Sequence, residues 1–251
     1  MRGPLSYVGG KNRFASTILP LIPEHTTYVE PFAGGAQILF HKPPSKVEVI
    51  NDLDGELVNF YRVCQSHHEE LIRYMRFMLM SREWFTMLHK TPPETLTDIQ
   101  RAARYFYLQK SAYGGRVARQ NYAIHVVQRP NFSPARLHEL LETTHERLSR
   151  VQIERLPYEK VLTRYDRAAT FFYLDPPYYD IRLYQHNLEH DDFVRMAGYL
   201  KEVKGKFLLS LNDRPEVREI FSTFDIMPVT VSYSLNRKAG MHNTELLIKN
   251  Y

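Results

Sequence analysis

Cysteine is all but missing from this chain: Cys64 stands alone among 251 residues. That excludes an internal disulfide and any metal cluster built on cysteine. No apolar run approaches the roughly 20 residues needed to cross a bilayer. Met1-Arg2-Gly3-Pro4 passes quickly into mixed polar sequence, without the apolar core of a signal peptide. A reducing, cytoplasmic setting is therefore expected. Internal repeats and low-complexity tracts are absent as well. With 43% hydrophobic residues and a mean hydropathy of −0.42, the chain reads as an ordinary globular protein. Its length suits one large domain, or a domain carrying a substantial insertion.

Acidic residues are missing from one stretch. Between Arg101 and Arg136 the sequence has Arg101, Arg104, Lys110, Arg116, Arg119, Arg129 and Arg136 but no Asp or Glu. The whole chain carries only +5, so outside this stretch of seven positive charges the charge sums to about −2. Concentrated charge of this kind suits a polyanion-binding surface or, equally, a solvated helix-and-loop face. Histidines number eleven and include His67-His68 and the pair His186/His190. No carboxylate-rich frame accompanies them, so no metal site is expected.

Two stretches have α/β character. Thr27 to Phe32 reads as a short strand ending in a glycine turn, followed by a helix from about Ala36 to His41. Val47 to Ile50 reads as a second strand closed by Asn51-Asp52, with a helix starting near Asp54. Such a βαβ unit favours a parallel sheet. The second stretch opens with the buried-strand pattern Thr170 to Leu174. Phe193, Met196, Ala197 and Leu200 then mark one face of a helix. Lys206 to Leu211 is a further strand, and Pro215 can open the next helix. Val229 to Tyr233 and Glu245 to Ile248 are expected to close the sheet as an antiparallel pair. The middle, about Tyr61 to Arg150, reads as mainly helical and rich in Arg, Tyr and Phe, with loops near Thr91-Pro92-Pro93 and Tyr113-Gly114-Gly115. Trp84 is expected in the core of these helices. The fold class is thus an α/β Rossmann-like sheet with an inserted helical subdomain. Residues 1–60 and 151–251 are expected to form the two parts of a discontinuous catalytic domain, around a substrate-gripping subdomain at 61–150.

Glu30-Pro31-Phe32-Ala33-Gly34-Gly35 places glycines directly after a strand, where the backbone can turn sharply and approach a ligand without a Cβ clash. Asp52 lies 18 residues beyond Gly34, at the end of the next strand. A carboxylate at this spacing accepts hydrogen bonds from ribose hydroxyls in nucleotide-binding sheets. A full G-x-G-x-x-G is lacking, and Ala36 stands where a further glycine is often found. The segment therefore suits a nucleoside without phosphates, such as S-adenosylmethionine, better than a phosphate cradle.

Asp175-Pro176-Pro177-Tyr178 follows a strand, and by chance it should occur in roughly one chain of this length in a thousand. Consecutive prolines stop both ladder and helix, which leaves the Asp175 carboxylate at the strand's C-terminal end. The chemistry is that of an amine made nucleophilic. The exocyclic amine of adenine is a poor nucleophile because its lone pair is delocalised into the ring. A carboxylate and the Pro176 carbonyl, accepting its two N–H bonds, would hold that lone pair towards an electrophilic methyl. Tyr178 offers a face on which an extruded base could stack.

Taken in order, Ser6-Tyr7-Val8-Gly9-Gly10-Lys11, Glu30 to Gly35, Val49-Ile50-Asn51-Asp52 and Asp175 to Tyr178 resemble the motifs of Dam-like adenine-specific DNA methyltransferases. The resemblance extends to Leu208-Leu209-Ser210-Leu211-Asn212-Asp213 and Glu245-Leu246-Leu247-Ile248, and so spans nearly the whole chain. It implies S-adenosylmethionine as cofactor, held by Tyr7, Lys11, Glu30, Phe32, Gly34, Asp52 and Asp175. Catalysis would lie with Asp175, Pro176 and Tyr178. Double-stranded DNA is the implied partner, with no obligatory protein partner, and Arg116 and Arg119 are candidates for DNA contacts or for plain surface positions. One departure stands out. Leu156-Pro157-Tyr158 replaces the Gly-Asp that often precedes an aromatic residue there and touches the cofactor's adenine. Methylation of cytosine N4 or of RNA, and a DNA-binding module without catalysis, remain the alternatives.

Overall fold

The computed structural model describes residues 3–5, 14–113, 120–124, 132–182, 186–231 and 243–251. A seven-stranded sheet organises them. Its strands are β1 (Thr27–Glu30), β2 (Val47–Asn51), β3 (Val151–Glu154), β4 (Thr170–Leu174), β5 (Lys206–Asn212), β6 (Asp225–Val231) and β7 (Asn243–Lys249). The spatial order is β3-β2-β1-β4-β5-β7-β6, parallel except for β7, which runs against both β5 and β6. The expected βαβ unit and the closing antiparallel pair are both present, with β7 inserted between β5 and β6. From β1 the chain builds outward to β2 and β3, and from β4 it builds the other way. The boundary between β1 and β4 is the switch point of an open α/β sheet, where ligands bind beyond the strands' C-terminal ends.

Strand sequence explains burial on both faces. Tyr28, Phe171, Tyr173, Leu208 and Leu247 join one core, and their neighbours Val29, Phe172, Leu174, Phe207 and Leu209 join the other. Alternation with both faces apolar is what a covered parallel sheet requires. The second core is completed by α8 (Tyr158–Tyr165), α9 (His190–Glu202) and α10 (Pro215–Ile220). On the first face lie α1 (Ala15–Ile18), α2 (Gln37–His41) and α3 (Gly55–Ser66). Asp54 caps α3 by accepting from the N–H groups of Glu56 and Leu57.

Four more helices follow α3: α4 (His68–Met75), α5 (Arg82–Lys90), α6 (Asp98–Ser111) and α7 (Pro134–Leu148). Their apolar faces share one continuous core with the sheet, through contacts such as Phe60 stacked on Phe106. The boundary expected at residue 60/61 falls inside α3, which serves sheet and helical layer alike. Trp84 corrects the sequence expectation. The stripe of α5 that faces inward carries Phe85 and Leu88, and Trp84, one position off it, is 37% exposed at the rim beside Tyr107. Among the described residues no helix is long and apolar enough to cross a membrane.

A buried ionic cluster ties α7 to the sheet. Glu48 of β2 accepts from Lys42 at 2.6 Å, from Arg147 at 2.5 Å and from the Ser45 N–H at 3.0 Å. Burial opposes the charge on Glu48, but these donors outweigh it and hold the carboxyl below the usual carboxylate range. Glu48→Ala would leave two cations without their counter-charge, and should cost about 3–5 kcal/mol in urea unfolding at pH 7. Because the folded pKa is depressed, this contribution is present above the unfolded value near 4.3 and lost as pH falls through the folded one. The gap between wild type and variant should therefore narrow in acid.

Candidate active site

The C-terminal edge of the parallel strands gathers the polar residues that the sequence singled out. Glu30 ends β1, Asn51-Asp52 ends β2, Asp175 directly follows β4 and Asn212 ends β5. Glu245 enters β7 opposite Asn212, so the reversed strand brings a carboxylate to the same edge.

Around the glycine turn, the Ala36 N–H bonds back to the Ala33 carbonyl at 2.6 Å. Gly34 sits at φ 46° and Ala36 at φ 47°. Gly34 adopts this left-handed backbone freely; Ala36 does so against a steric cost of roughly 1–2 kcal/mol. Compensation comes from a tightly bonded turn. The Gly34 N–H donates to Asp52 Oδ2 at 3.0 Å, and its carbonyl accepts from the Tyr61 hydroxyl at 2.7 Å. Asp52 Oδ1 accepts from the Asp54 N–H at 3.0 Å. Each Asp52 oxygen therefore has one backbone donor and a further lone pair for a ligand hydroxyl. Burial pushes the Asp52 carboxyl up to about 6, against the pull of the Asp54 and Gly34 N–H groups. His186, in the loop after Asp175, lies close enough to act on this carboxyl electrostatically.

Glu30 is 2% exposed, and its Oε1 accepts from the Tyr28 hydroxyl at 2.7 Å and the Leu39 N–H at 2.8 Å. Those bonds tie β1 to α2. Burial pushes Glu30 up to about 7, the two donors pull it back in part, and the charge of Asp175 raises it further. Phe32 packs its ring on Tyr158 with centroids 5.3 Å apart. At the departure Leu156-Pro157-Tyr158, the Leu156 N–H donates to Asn51 Oδ1 at 2.8 Å. Asn51 Nδ2 donates in turn to the carbonyls of Leu156 and Pro31. Pro157 then opens α8. The segment is a rigid wall beside Phe32.

The Asp175 loop is anchored from β5. Ser210 Oγ donates to Asp175 Oδ1 at 2.9 Å, and the Tyr173 hydroxyl, 3.2 Å from Ser210 Oγ, supplies the donor that Ser210 then lacks. Asn212 bonds the Tyr179 backbone twice, accepting from its N–H at 2.9 Å and donating to its carbonyl at 3.0 Å. Tyr178 donates its hydroxyl to Glu245 Oε1 at 2.5 Å. Ser210, Asn212 and Glu245 stood inside motifs quoted from the sequence, but nothing local marked their roles. The available signal was position near the ligand-binding edge: Asn212 ends β5, Ser210 lies two residues before it and Glu245 pairs opposite Asn212.

Tyr7, Lys11, Arg116 and Arg119 lie outside the described residues. Leu5 and Phe14, on either side of the first pair, are both buried in the core. Gln37 fixes the chain at Gly3 and Leu5, and bonds the Gly35 carbonyl as well. Segments 111–113 and 121–123, which flank Arg116 and Arg119, are hydrogen-bonded as antiparallel arms. Among the described residues three bases of the acid-free stretch are engaged internally, Lys110 by lying over the Phe106 ring at 5.5 Å. Arg101 pairs with Glu56, and Arg104 Nε donates to the Leu88 carbonyl at 2.7 Å. Arg101 and Arg104 thus serve the packing of the helical layer. Among the histidines, His68 stacks on His145 at 3.8 Å and faces Glu142, and His190 meets the Tyr179 hydroxyl.

A glycine turn, the Asp52 carboxylate and the proline-stiffened Asp175 carboxylate stand around one switch point. The sequence profile of the D12 class N6 adenine-specific DNA methyltransferase family matches residues 7–235. The chain is 28% identical over 268 residues to a type II methyltransferase of Lactococcus lactis subsp. cremoris, covering 98% of this chain and 94% of that one. It is 23% identical to a type II methyltransferase of Paramecium bursaria Chlorella virus NC1A, with all of both chains covered. A third type II methyltransferase, from Methanocaldococcus jannaschii, is also 23% identical, with 98% of each chain covered. The chain belongs to the D12 class of N6 adenine-specific DNA methyltransferases, enzymes that use S-adenosylmethionine.

Proposed function

We propose that this chain methylates N6 of an adenine extruded from double-stranded DNA, with Asp175 and the Pro176 carbonyl as the two acceptors of the target amine. The observation that carries the proposal is the anchoring of Asp175. Its carboxylate is fixed by Ser210 directly beyond β4, beside the switch point. The residues present also fit the cofactor. The Gly34 turn offers a close backbone approach, and Asp52 keeps lone pairs for ribose hydroxyls while no phosphate cradle is needed. Phe32 and the Leu156-Pro157 wall flank that turn. Glu30 acts as its support, through α2.

S-adenosylmethionine, when bound, supplies a methyl group already activated by its sulfonium, so neither a metal nor a covalent enzyme intermediate is required. The protein's part is positioning and charge. Asp175 and Pro176 orient the amine's lone pair. The carboxylate also stabilises positive charge growing on nitrogen and is placed to take the proton that N6 sheds. Extrusion of the base follows from geometry, because a stacked adenine cannot reach a carboxylate recessed at a sheet edge. Tyr178 gives the extruded ring a stacking face. Arg116 and Arg119, on the segment between the hydrogen-bonded arms, are the proposed DNA contacts. The type II designation of the relatives extends, within this proposal, to a modification enzyme of a restriction–modification pair.

Asp175→Ala should lower kcat by at least about 10²–10³-fold while DNA is still retained, as removal of one preorganised polar partner does elsewhere. Near-normal methylation by that variant would overturn the mechanism, and a DNA-binding module without catalysis would show no methylation even as wild type. Cofactor affinity measured by calorimetry should hold above pH 6 and fall below it, by up to about tenfold per pH unit. The cause is Asp52: burial pushes its carboxyl up to about 6, and protonation turns one oxygen into a donor and weakens the other as an acceptor of hydroxyl bonds. Asp52→Asn should flatten that profile. DNA affinity should weaken steeply with added salt, since phosphate contacts release counterions; a flat dependence would contradict a DNA substrate.

A further inference from the structure

Among the described residues, three anchors from β5 and β7 reach the loop after β4, and they differ in kind. Ser210 grips the side chain of Asp175 and Asn212 grips the backbone of Tyr179. Glu245 grips the tip of an aromatic side chain, that of Tyr178, at 2.5 Å, while the neighbouring Tyr179 hydroxyl meets His190 at the exposed side of the loop. Glu245 is 1% exposed, and a carboxylate buried so deeply costs several kcal/mol unless donors compensate it. The bond from the phenol to Glu245 Oε1 fixes the tip of the ring. A phenol ring free at its hydroxyl can rock about its side-chain torsions. Held at Cα by a locked loop and at the hydroxyl by a buried carboxylate, it keeps one plane.

We propose that Glu245 is a positioning residue for methyl transfer, acting through the Tyr178 hydroxyl to set the plane on which the target base stacks. The inference rests on the proposed function, in which Tyr178 receives the extruded adenine. β7 makes the arrangement possible, because its reversed direction brings Glu245 to the edge where the parallel strands end, opposite Asn212. Two neighbouring residues of a strand pair thereby fix consecutive residues of the loop, one by its backbone and the other by its ring. Orientation of a bound base affects the reacting geometry more than it affects DNA affinity, so the effect belongs in kcat.

The test compares wild type with Tyr178→Phe, Glu245→Ala, Glu245→Gln and Tyr178→Phe/Glu245→Ala, on a duplex whose methylated adenine has been mapped with the wild-type enzyme. A second duplex carries 2-aminopurine at that position, and its emission reports stacking of the extruded base. Tyr178→Phe and Glu245→Ala should each lower kcat about tenfold with KM for DNA within about twofold, and the double variant should be no slower than the slower single. Glu245→Gln, which keeps an oxygen acceptor, should stay within about threefold of wild type. Emission from the Tyr178→Phe complex should exceed wild type, because a loosely held ring stacks less. An additive, about hundredfold loss in the double variant, or wild-type kcat in Glu245→Ala, would overturn the proposal. Should Glu245→Ala fail to fold, Tyr178→Phe decides alone: wild-type kcat together with wild-type emission rejects the role. Failure of the wild-type enzyme to methylate adenine at all would strike the proposed function instead.

Discussion

Where parallel strands end, their last backbone groups lose the partners that the ladder gave them, and this site is built on how those groups are satisfied. Two asparagines do most of it, one on each side of the switch point. Asn51 bonds the Pro31 carbonyl and both backbone groups of Leu156, so the segments leaving β1, β2 and β3 become one rigid rim. Asn212 does the same for Tyr179 on the β5 side. An amide side chain suits the task because it carries a donor and an acceptor side by side and so imitates a strand. The glycine turn and the Asp175 loop leave the adjacent, hydrogen-bonded strands β1 and β4, and each asparagine steadies the rim on its own side.

Within that rim the electrostatics are unfavourable for folding and useful for chemistry. Glu30 and Asp52 have carboxyls raised to about 7 and about 6, mainly by burial, and the charge of Asp175 adds to the strain on Glu30. Clustered carboxylates with perturbed titration mark functional sites more often than structural ones. Backbone N–H groups of Gly34, Leu39 and Asp54 make the arrangement tolerable. At the far end of β2 the opposite solution appears, where Glu48 is fully compensated by Lys42 and Arg147. One end of the sheet is thus ionically closed, and the other is left open to a ligand.

The helical layer illustrates how composition misleads when partners are unseen. Seven bases in an acid-free stretch suited a polyanion surface and a solvated face equally, and Arg101 instead reaches across to Glu56 of α3 while Arg104 closes the end of α5. Absence of acids nearby in sequence says nothing about acids nearby in space. Trp84 teaches the same lesson for apolar residues. Helical periodicity placed Phe85 and Leu88 inward, and a ring one position along from them came to rest at the rim.

Sequence by itself determined the parts whose cause is local. Alternating and continuous apolar runs set β1, β2, β4 and β5; Asp54 and Pro215 marked helix starts; Gly34 and the two prolines after Asp175 set the turns that expose ligand-facing groups. The order of motifs was enough for the family, because each motif is contiguous. Only the tertiary structure decided the second set of residues. Ser210 and Asn212 meet their partners 35 and 33 positions away, and Glu245 meets Tyr178 across 67. Those contacts exist because β5 lies beside β4 and β7 runs backwards beside β5. Strand order and direction are set by the packing of whole faces, which no single segment encodes.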